Sequence, residues 1–142
     1  MTSFWRAWLV TWVFGIIAFG AVLAGGAFEA TAGPVRFVYE TLQGPAALTL
    51  DPAMRFTLGV LGAVSIGWGL TVLMVMLPAM ALGASARAVW IGITVGVASW
   101  FVIDSCLSVA TGFGLNVVPN IALLVGYLIP VLASGRMNKA QP

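Results

Sequence analysis

The chain has 142 residues, of which 61% are hydrophobic and only 7% are charged, and its mean hydropathy is +1.09. This composition lies far outside the range of soluble globular domains and excludes water as the main solvent of the folded chain. The formal net charge is +2, but the six Lys and Arg residues are scattered and form no basic stripe, which excludes a nucleic-acid-binding surface.

The first predicted membrane crossing covers about residues 4–32 and contains an uncharged stretch from Ala7 to Phe28. At about 1.5 Å per residue, this stretch is long enough for a hydrocarbon core about 30 Å thick. Arg6 and the small residues near Gly25 also resemble a secretory signal peptide, but the apolar run is too long for the hydrophobic part of one. We therefore expect a retained anchor.

A short amphipathic element is predicted to follow over about residues 34–43. Gly33 suits the end of one helix, and Pro34 suits the first turn of the next. Arg36 and Glu40 then lie on one side at helical spacing, so they are expected to pair. The segment is too short to cross a bilayer, which predicts an interfacial helix in the first extracytoplasmic loop.

Three further crossings are predicted, over about residues 52–78, 86–110 and 117–134. Asp51 before Pro52 is a strong helix-start signal, and Pro78 is expected to kink or end the second crossing. Ser85 and Asn116 are the expected caps of the third and fourth crossings. The whole chain, residues 1–142, is thus expected to be a single all-α integral membrane domain, a four-transmembrane-helix bundle.

The Lys and Arg residues near the ends of the crossings predict the orientation of the chain. One side would carry Arg6, Arg87, Arg136 and Lys139, and the other side Arg36 and Arg55. Four cations against two favour a multi-pass protein of a bacterial inner (cytoplasmic) membrane with both termini in the cytoplasm. The tryptophans expected at the cytoplasmic interface are Trp5, Trp8 and Trp90.

Small residues suggest how the crossings would pack, because helices in lipid associate through close contacts between small side chains. The second and third crossings carry such residues at intervals of four, namely Gly59, Ala63 and Gly67, and Gly92 and Gly96. We expect these faces to bring the second and third crossings together inside the bundle. The alternative is a face that binds another membrane protein or a second copy of the chain, and spacing does not distinguish the two.

Asp104 is the one charged residue that interrupts an apolar segment, roughly 7 Å from the bilayer midplane given the helical rise. Such residues usually face the bundle interior and find polar partners. The candidate partners are Ser105, Ser108, Asn116 and Asn120. Three interpretations remain open: a link between the third and fourth crossings, a proton- or cation-linked site that could also anchor a small ligand, and a contact with another chain.

Several kinds of chemistry are excluded by the residues that the sequence lacks. It contains no histidine, which excludes haem by histidine ligation, and we predict no metal site. Lys139, the one lysine, lies in the polar tail, which excludes an intramembrane Schiff base to retinal. The single cysteine, Cys106, has no partner for a disulfide. Trp68 and Trp100 are candidate walls of a quinone, carotenoid or lipid site, although such residues more often serve packing.

Two stretches carry a resemblance to known proteins, FTLGVLGAVSIGWG over residues 56–69 and WFVIDSCLSVATGFGLNVVPN over residues 100–120. They resemble small four-helix bacterial inner-membrane proteins that have no assigned activity. The chain is also loosely similar to DoxX-like four-helix proteins, some of which associate with quinone-linked oxidoreductases, but no functional residue carries over. Small multidrug exporters are similar in size, yet they have a carboxylate within the first helix, which Glu29 only borders.

The sequence offers no nucleophile and base pair, phosphate-binding loop or cofactor-attachment residue, so we expect no enzyme. The first hypothesis is a non-enzymatic accessory or interaction subunit of a larger inner-membrane complex, respiratory or photosynthetic. The second is a homo-oligomeric carrier or channel that uses Asp104, Asn116 and Asn120. The third is a subunit that holds a lipid, quinone or carotenoid against Trp68 and Trp100. The expected partners are membrane lipids and another membrane protein or a second copy of the chain.

Overall fold

The computed structural model describes residues 1–43 and 49–137. These residues form five α-helices, α1 (Ser3–Gly25), α2 (Gly33–Gln43), α3 (Pro52–Ala81), α4 (Arg87–Ala110) and α5 (Val117–Ala133), with short 3-10 turns between them. The helices α1, α3, α4 and α5 are long and apolar enough to cross a membrane. The prediction of an all-helical chain with four such helices is confirmed.

The four long helices run in alternating directions. Helix α1 lies between α3 and α5, its contact with α3 is the most extensive in the structure, and α4 packs mainly on α5. Two ends result. The end that holds the start of α1, the turn between α3 and α4 and the end of α5 is called the terminal end below. The opposite end, which carries α2 and the turn between α4 and α5, is called the loop end.

Helices α1 and α3 meet along matching seams of buried residues. On α1 the seam is Leu9, Val13, Ile16, Gly20 and Leu23, and on α3 it is Leu58, Gly62, Gly69, Val72, Met76 and Ala79. Intervals of four and three keep a stripe of side chains facing the partner helix, as in antiparallel coiled-coil packing. The closest approach is at Gly62, where an added Cβ would lie 2.5 Å from the Gly20 carbonyl oxygen and closer still to the Ala24 nitrogen.

The helix ends differ from the predicted boundaries in two places. Helix α1 ends at Gly25 rather than near residue 32, because Thr31 Oγ1 donates to the Gly25 carbonyl oxygen at 2.6 Å and the chain turns there. Helix α3 continues through Pro78 to Ala81. Pro78 removes the backbone hydrogen bond to the Met74 carbonyl oxygen, but the residues after it still form the last turn of the helix, and the Leu82 N–H donates to the Pro78 carbonyl oxygen at 3.1 Å.

The predicted caps also differ in their outcome. Asp51 Oδ1 accepts from the Met54 N–H at 2.7 Å and caps α3. Asn116 occupies the N-cap position of α5 as predicted, whereas Ala86 and not Ser85 precedes α4, and neither helix start has a side-chain capping hydrogen bond. The Asn116 amide is instead directed at Asp104, a stronger acceptor than a neutral group.

An ion-paired cluster joins the turn after α1 to α2 and α3 at the loop end. Arg36 Nη2 lies 3.2 Å from Glu29 Oε1, and Arg55 also binds the Glu29 carboxylate. The hydrogen bond from Arg55 and the charge of Arg36 lower the pKa of Glu29 below its usual value. Sequence reasoning paired Arg36 with Glu40 and missed Glu29, because Glu29 lies in the turn before α2 and approaches Arg36 only after the chain bends.

Helix α1 also binds α5 through two tryptophan side chains. Trp8 Nε1 donates to the Gly126 carbonyl oxygen at 2.8 Å, and Trp12 Nε1 donates to the Leu123 carbonyl oxygen at 2.9 Å. In a regular helix the Gly126 carbonyl would accept from the backbone N–H of residue 130, but Pro130 has none. Trp8 therefore supplies the hydrogen bond that Pro130 removes.

This arrangement predicts a coupling between Trp8 and Pro130. Replacing Trp8 by Phe should lower the free energy of unfolding by about 1 kcal/mol, because the Gly126 carbonyl loses its donor. In a Pro130→Ala background the new backbone N–H satisfies that carbonyl, so the hydrogen-bond part of the Trp8→Phe effect should disappear. Reversible unfolding of the four proteins of this cycle in mixed micelles measures the coupling. Equal effects of Trp8→Phe in both backgrounds would exclude it.

Trp90 lies in the first turn of α4, near the terminal end of the bundle. Its side chain is fully buried and packs in the core formed by α1, α3 and α5. Trp90 is the first buried residue of α4, and the same core cluster includes the small residues Ala79 and Ala86. Among residues 1–43 and 49–137, no acceptor binds its Nε1.

Candidate functional site

The carboxylate of Asp104 is directed from α4 toward the start of α5. Its Oδ2 accepts hydrogen bonds from Asn116 Nδ2 at 2.9 Å and from Asn120 Nδ2 at 2.5 Å. Hydrogen bonds to an ionised acceptor are roughly twice as strong as those between neutral groups. One side-chain oxygen of α4 thus binds both the residue before α5 and the first turn of α5.

Two serines complete the cluster. Asn116 Nδ2 also donates to Ser108 Oγ at 3.0 Å, and Asn120 Nδ2 also donates to Ser105 Oγ at 3.2 Å. An amide nitrogen carries two N–H groups, so each asparagine uses one on the carboxylate and one on a serine. Asn120 is only 3% exposed, and both serines are buried. The structure therefore brings together all five residues of the polar cluster that the sequence singled out, Asp104, Ser105, Ser108, Asn116 and Asn120.

The turn between α4 and α5 places these side chains opposite one another. Gly112 has a φ of +87°, a conformation that glycine adopts without strain, and the Phe113 N–H then donates to the Ser108 carbonyl oxygen at 2.8 Å. The 3-10 turn Gly114–Asn116 follows directly. The chain reverses within a few residues, so Asn116 lies at the depth of Ser108 and Asn120 at that of Asp104.

The cluster can act chemically as a hydrogen-bonded link between two helices. The donors that reach Asp104 come from the same chain, and both serine oxygens act as acceptors for the amides. The part of the chain that the structure describes contains no group of three His, Cys, Asp or Glu residues able to hold a metal ion.

The two candidate ligand-wall aromatics lie against each other. The ring centroids of Trp68 on α3 and Trp100 on α4 are 6.4 Å apart, with 32° between the ring planes. Such a pair stabilises a helix contact beyond the area it buries. Helices α3 and α4 therefore meet through this tryptophan pair, and the ligand-wall role of the pair stays a prediction.

The rows of small residues that the sequence singled out do not form the contact between α3 and α4. Gly59 approaches Ala27, which lies beyond the end of α1, and Ala63 is exposed. A Cβ added at Gly67, Gly92 or Gly96 would meet no described atom within 4 Å. The reason is geometric: a step of four residues turns about 40° around a helix axis, because one turn takes about 3.6 residues. A row at intervals of four therefore leaves the face on which it began.

The structure places Gly92 and Gly96 on a longer exposed face of α4, and sequence reasoning missed its other members. Its residues alternate at intervals of four and three and are all exposed: Gly92, Gly96, Ser99, Ile103, Cys106 and Ala110. This set is called the outer seam of α4 below. The alternation averages about 3.6 residues, so the seam stays on one side along the helix. Five of its six members are small. The outer seam could have been predicted from the alternation of four and three residues, which is also the spacing of the contact between α1 and α3.

Comparison of the chain with protein-family models, with curated proteins and with solved structures finds no match in any of the three. The arrangement of the helices and of their polar side chains is therefore what supports a function.

Proposed function

We propose that this chain is an integral protein of a bacterial inner membrane, with four crossings, α2 along the extracytoplasmic surface and both termini in the cytoplasm. Large apolar side chains are exposed along every long helix, for example Phe14, Val64, Val102 and Ile121. Exposed apolar surface on this scale fits lipid and not water. The excess of Lys and Arg in the sequence at the terminal end supports a cytoplasmic position for that end.

Within the membrane, the proposed role is that of a non-enzymatic accessory or interaction subunit of a larger complex. The outer seam of α4 is the observation that carries this proposal. In lipid, apolar side chains gain little from leaving the acyl chains, so helix contacts depend on close packing of small residues. The seam has the same four-and-three spacing as the packed α1–α3 contact, and its glycines contact no other described helix. It therefore fits a helix of another chain.

The geometry of Asp104 favours this role over that of a carrier or channel. A transported ion or proton needs a carboxylate that can change partners, whereas this carboxylate accepts two amide donors from its own chain. The tryptophan pair likewise supports helix packing more directly than a quinone, carotenoid or lipid site.

The outer seam can be tested by enlarging one glycine. Gly96→Leu should release the chain from its complex, because the added side chain fills the surface on which a partner helix would pack. Gly15→Leu is the matched control, since Gly15 on α1 is also exposed and an added Cβ there meets no described atom within 4 Å. Native membranes would be solubilised in a mild detergent, and the mass of the particle that holds the chain would be measured.

The expected result is a large particle for the wild type and Gly15→Leu and an isolated chain for Gly96→Leu. An isolated wild-type chain in native membranes, shown by crosslinking before solubilisation, would refute the interaction role. A particle that survives Gly96→Leu unchanged would exclude the outer seam as the contact.

A further inference from the structure

The charges of the chain are divided unevenly between its ends. The carboxylate side chains are Glu29, Glu40, Asp51 and Asp104, and in the fold they belong to the loop end or to the loop-end half of α4. The terminal end has the cations Arg6, Arg87 and Arg136 within the described residues, and the sequence adds Lys139 beyond them. No Asp or Glu side chain of this sequence is therefore available as a counterion there.

Arg136 is the cation for which this imbalance matters most. Arg136 is only 7% exposed. Its Nη2 donates to the carbonyl oxygen of Met80, near the end of α3, over a distance of 3.2 Å. Its Nε is buried and meets no acceptor among residues 1–43 and 49–137. A neutral carbonyl satisfies one N–H of the guanidinium but does not balance its charge, and a buried charge without an opposite charge is strongly unfavourable.

A second arginine binds the backbone of the residue that follows Arg136. Arg87 Nε donates to the carbonyl oxygen of Met137, the neighbour of Arg136, at 2.9 Å. Arg136 Nη1 lies 3.9 Å from the position of a Cβ at Gly83, in the turn Gly83–Ala86 that leads into α4. That turn has no acidic residue, and the start of a helix adds partial positive charge. Within the described residues, no carboxylate accompanies Arg136 and Arg87 at this helix start.

We infer that the terminal end binds the phosphate of an anionic phospholipid, with Arg136 and Arg87 as its ligands. A guanidinium binds phosphate oxygens through paired N–H groups, and basic pockets between transmembrane helices on the cytoplasmic side are suited to anionic headgroups. The inference rests on the proposed membrane insertion. Resistance of the chain to carbonate extraction from membranes tests that insertion separately, so the two can fail independently.

The test measures lipid binding by the whole chain, purified and stripped of lipid in a neutral detergent. Phosphatidylglycerol and phosphatidylcholine would be added separately, and bound lipid would be counted by native mass spectrometry while thermal unfolding is followed. We expect the wild type to bind phosphatidylglycerol and to unfold at a higher temperature with it, and to respond much less to phosphatidylcholine. Arg136→Gln should weaken phosphatidylglycerol binding by about tenfold or more, the loss expected for one charge-assisted contact.

Arg6→Gln is the matched control, because it removes the same charge at the same end from an exposed side chain. It should leave phosphatidylglycerol binding within about threefold of the wild type, a loss of less than 1 kcal/mol. If Arg136→Gln does not fold, Arg87→Gln replaces it, with an expected weakening in the same direction. Equal binding by the wild type and the Arg136 or Arg87 variant would overturn the inference.

Two other anions are distinguished by the same measurements. If inorganic phosphate alone raises the unfolding temperature as much as phosphatidylglycerol does, the ligand is free phosphate and the lipid assignment is wrong. If a few glycines appended to the carboxyl terminus destabilise the chain, and neither lipid has an effect, the counterion is the chain's own terminal carboxylate and the inference is likewise overturned.

Discussion

Replacing Gly62 by alanine is expected to lower the free energy of unfolding by about 3 kcal/mol or more, because the new methyl group would overlap the backbone of α1. Its Cβ would lie 2.5 Å from the Gly20 carbonyl oxygen and even nearer to the Ala24 nitrogen. A flexible side chain could move aside, but backbone atoms in the middle of a helix cannot. Helices α1 and α3 would have to separate along their whole seam.

Gly67→Ala is the control for this prediction, since it makes the same change five residues later on the same helix. A Cβ at Gly67 meets no described atom within 4 Å, so only helix propensity changes, and stability should stay the same or rise by up to about 1 kcal/mol. Reversible unfolding of both variants in mixed micelles gives the two values. Similar values for Gly62→Ala and Gly67→Ala would show that α1 and α3 do not approach as closely as the structure places them.

The comparison of these two glycines also explains what could be predicted from the sequence. Hydropathy and length predict the four long helices, because a run of apolar residues is sufficient evidence for each. Which glycine touches another helix depends on small differences in angle around the axis. Gly67 lies in the row at intervals of four and faces outward, whereas Gly62 lies outside that row and makes the closest contact.

The ion pairs and caps were hard to predict for a related reason. Arg36 was paired with Glu40 because helical spacing places the two together, but the bend after Gly25 brings Glu29 to the same guanidinium. Asn116 was expected to cap a helix because asparagine often does so. A carboxylate in an apolar segment is the stronger acceptor, and the short turn after Gly112 lets the amide reach it.

The Asp104 cluster was easier to identify, because polar residues are rare in this chain. A carboxylate in an apolar helix needs donors, and the nearest polar side chains along the sequence lie on its own helix and just after the next turn. Sequence reasoning could therefore name the members. It could not determine that Asn116 and Asn120 share a single carboxylate oxygen, since that depends on the rotation of α5 against α4.

Replacing Asp104 by alanine is expected to lower the free energy of unfolding by about 2–3 kcal/mol. Two charge-assisted hydrogen bonds would be lost, and an N–H of Asn120 would stay buried without its acceptor. The gain from removing a charge from an apolar helix offsets part of the loss, as does the tendency of unfolded segments in a membrane to find other partners. Cys106→Ala, two residues further along α4 and exposed, should change stability by less than about 0.5 kcal/mol.

Asp104→Asn distinguishes a link between helices from an ion-coupled site. An amide oxygen can still accept from both asparagines, so we expect a loss of about 1 kcal/mol, smaller than that of Asp104→Ala. A helix link predicts that Asp104→Asn keeps the wild-type particle mass and behaves like the wild type in liposomes that report proton or cation flux. An ion-coupled site predicts that Asp104→Asn loses the proton or cation flux of the wild type, because the amide cannot take up a proton or balance a cation. Flux that is present in the wild type and lost in Asp104→Asn at nearly unchanged stability would contradict the accessory role and favour a carrier or channel.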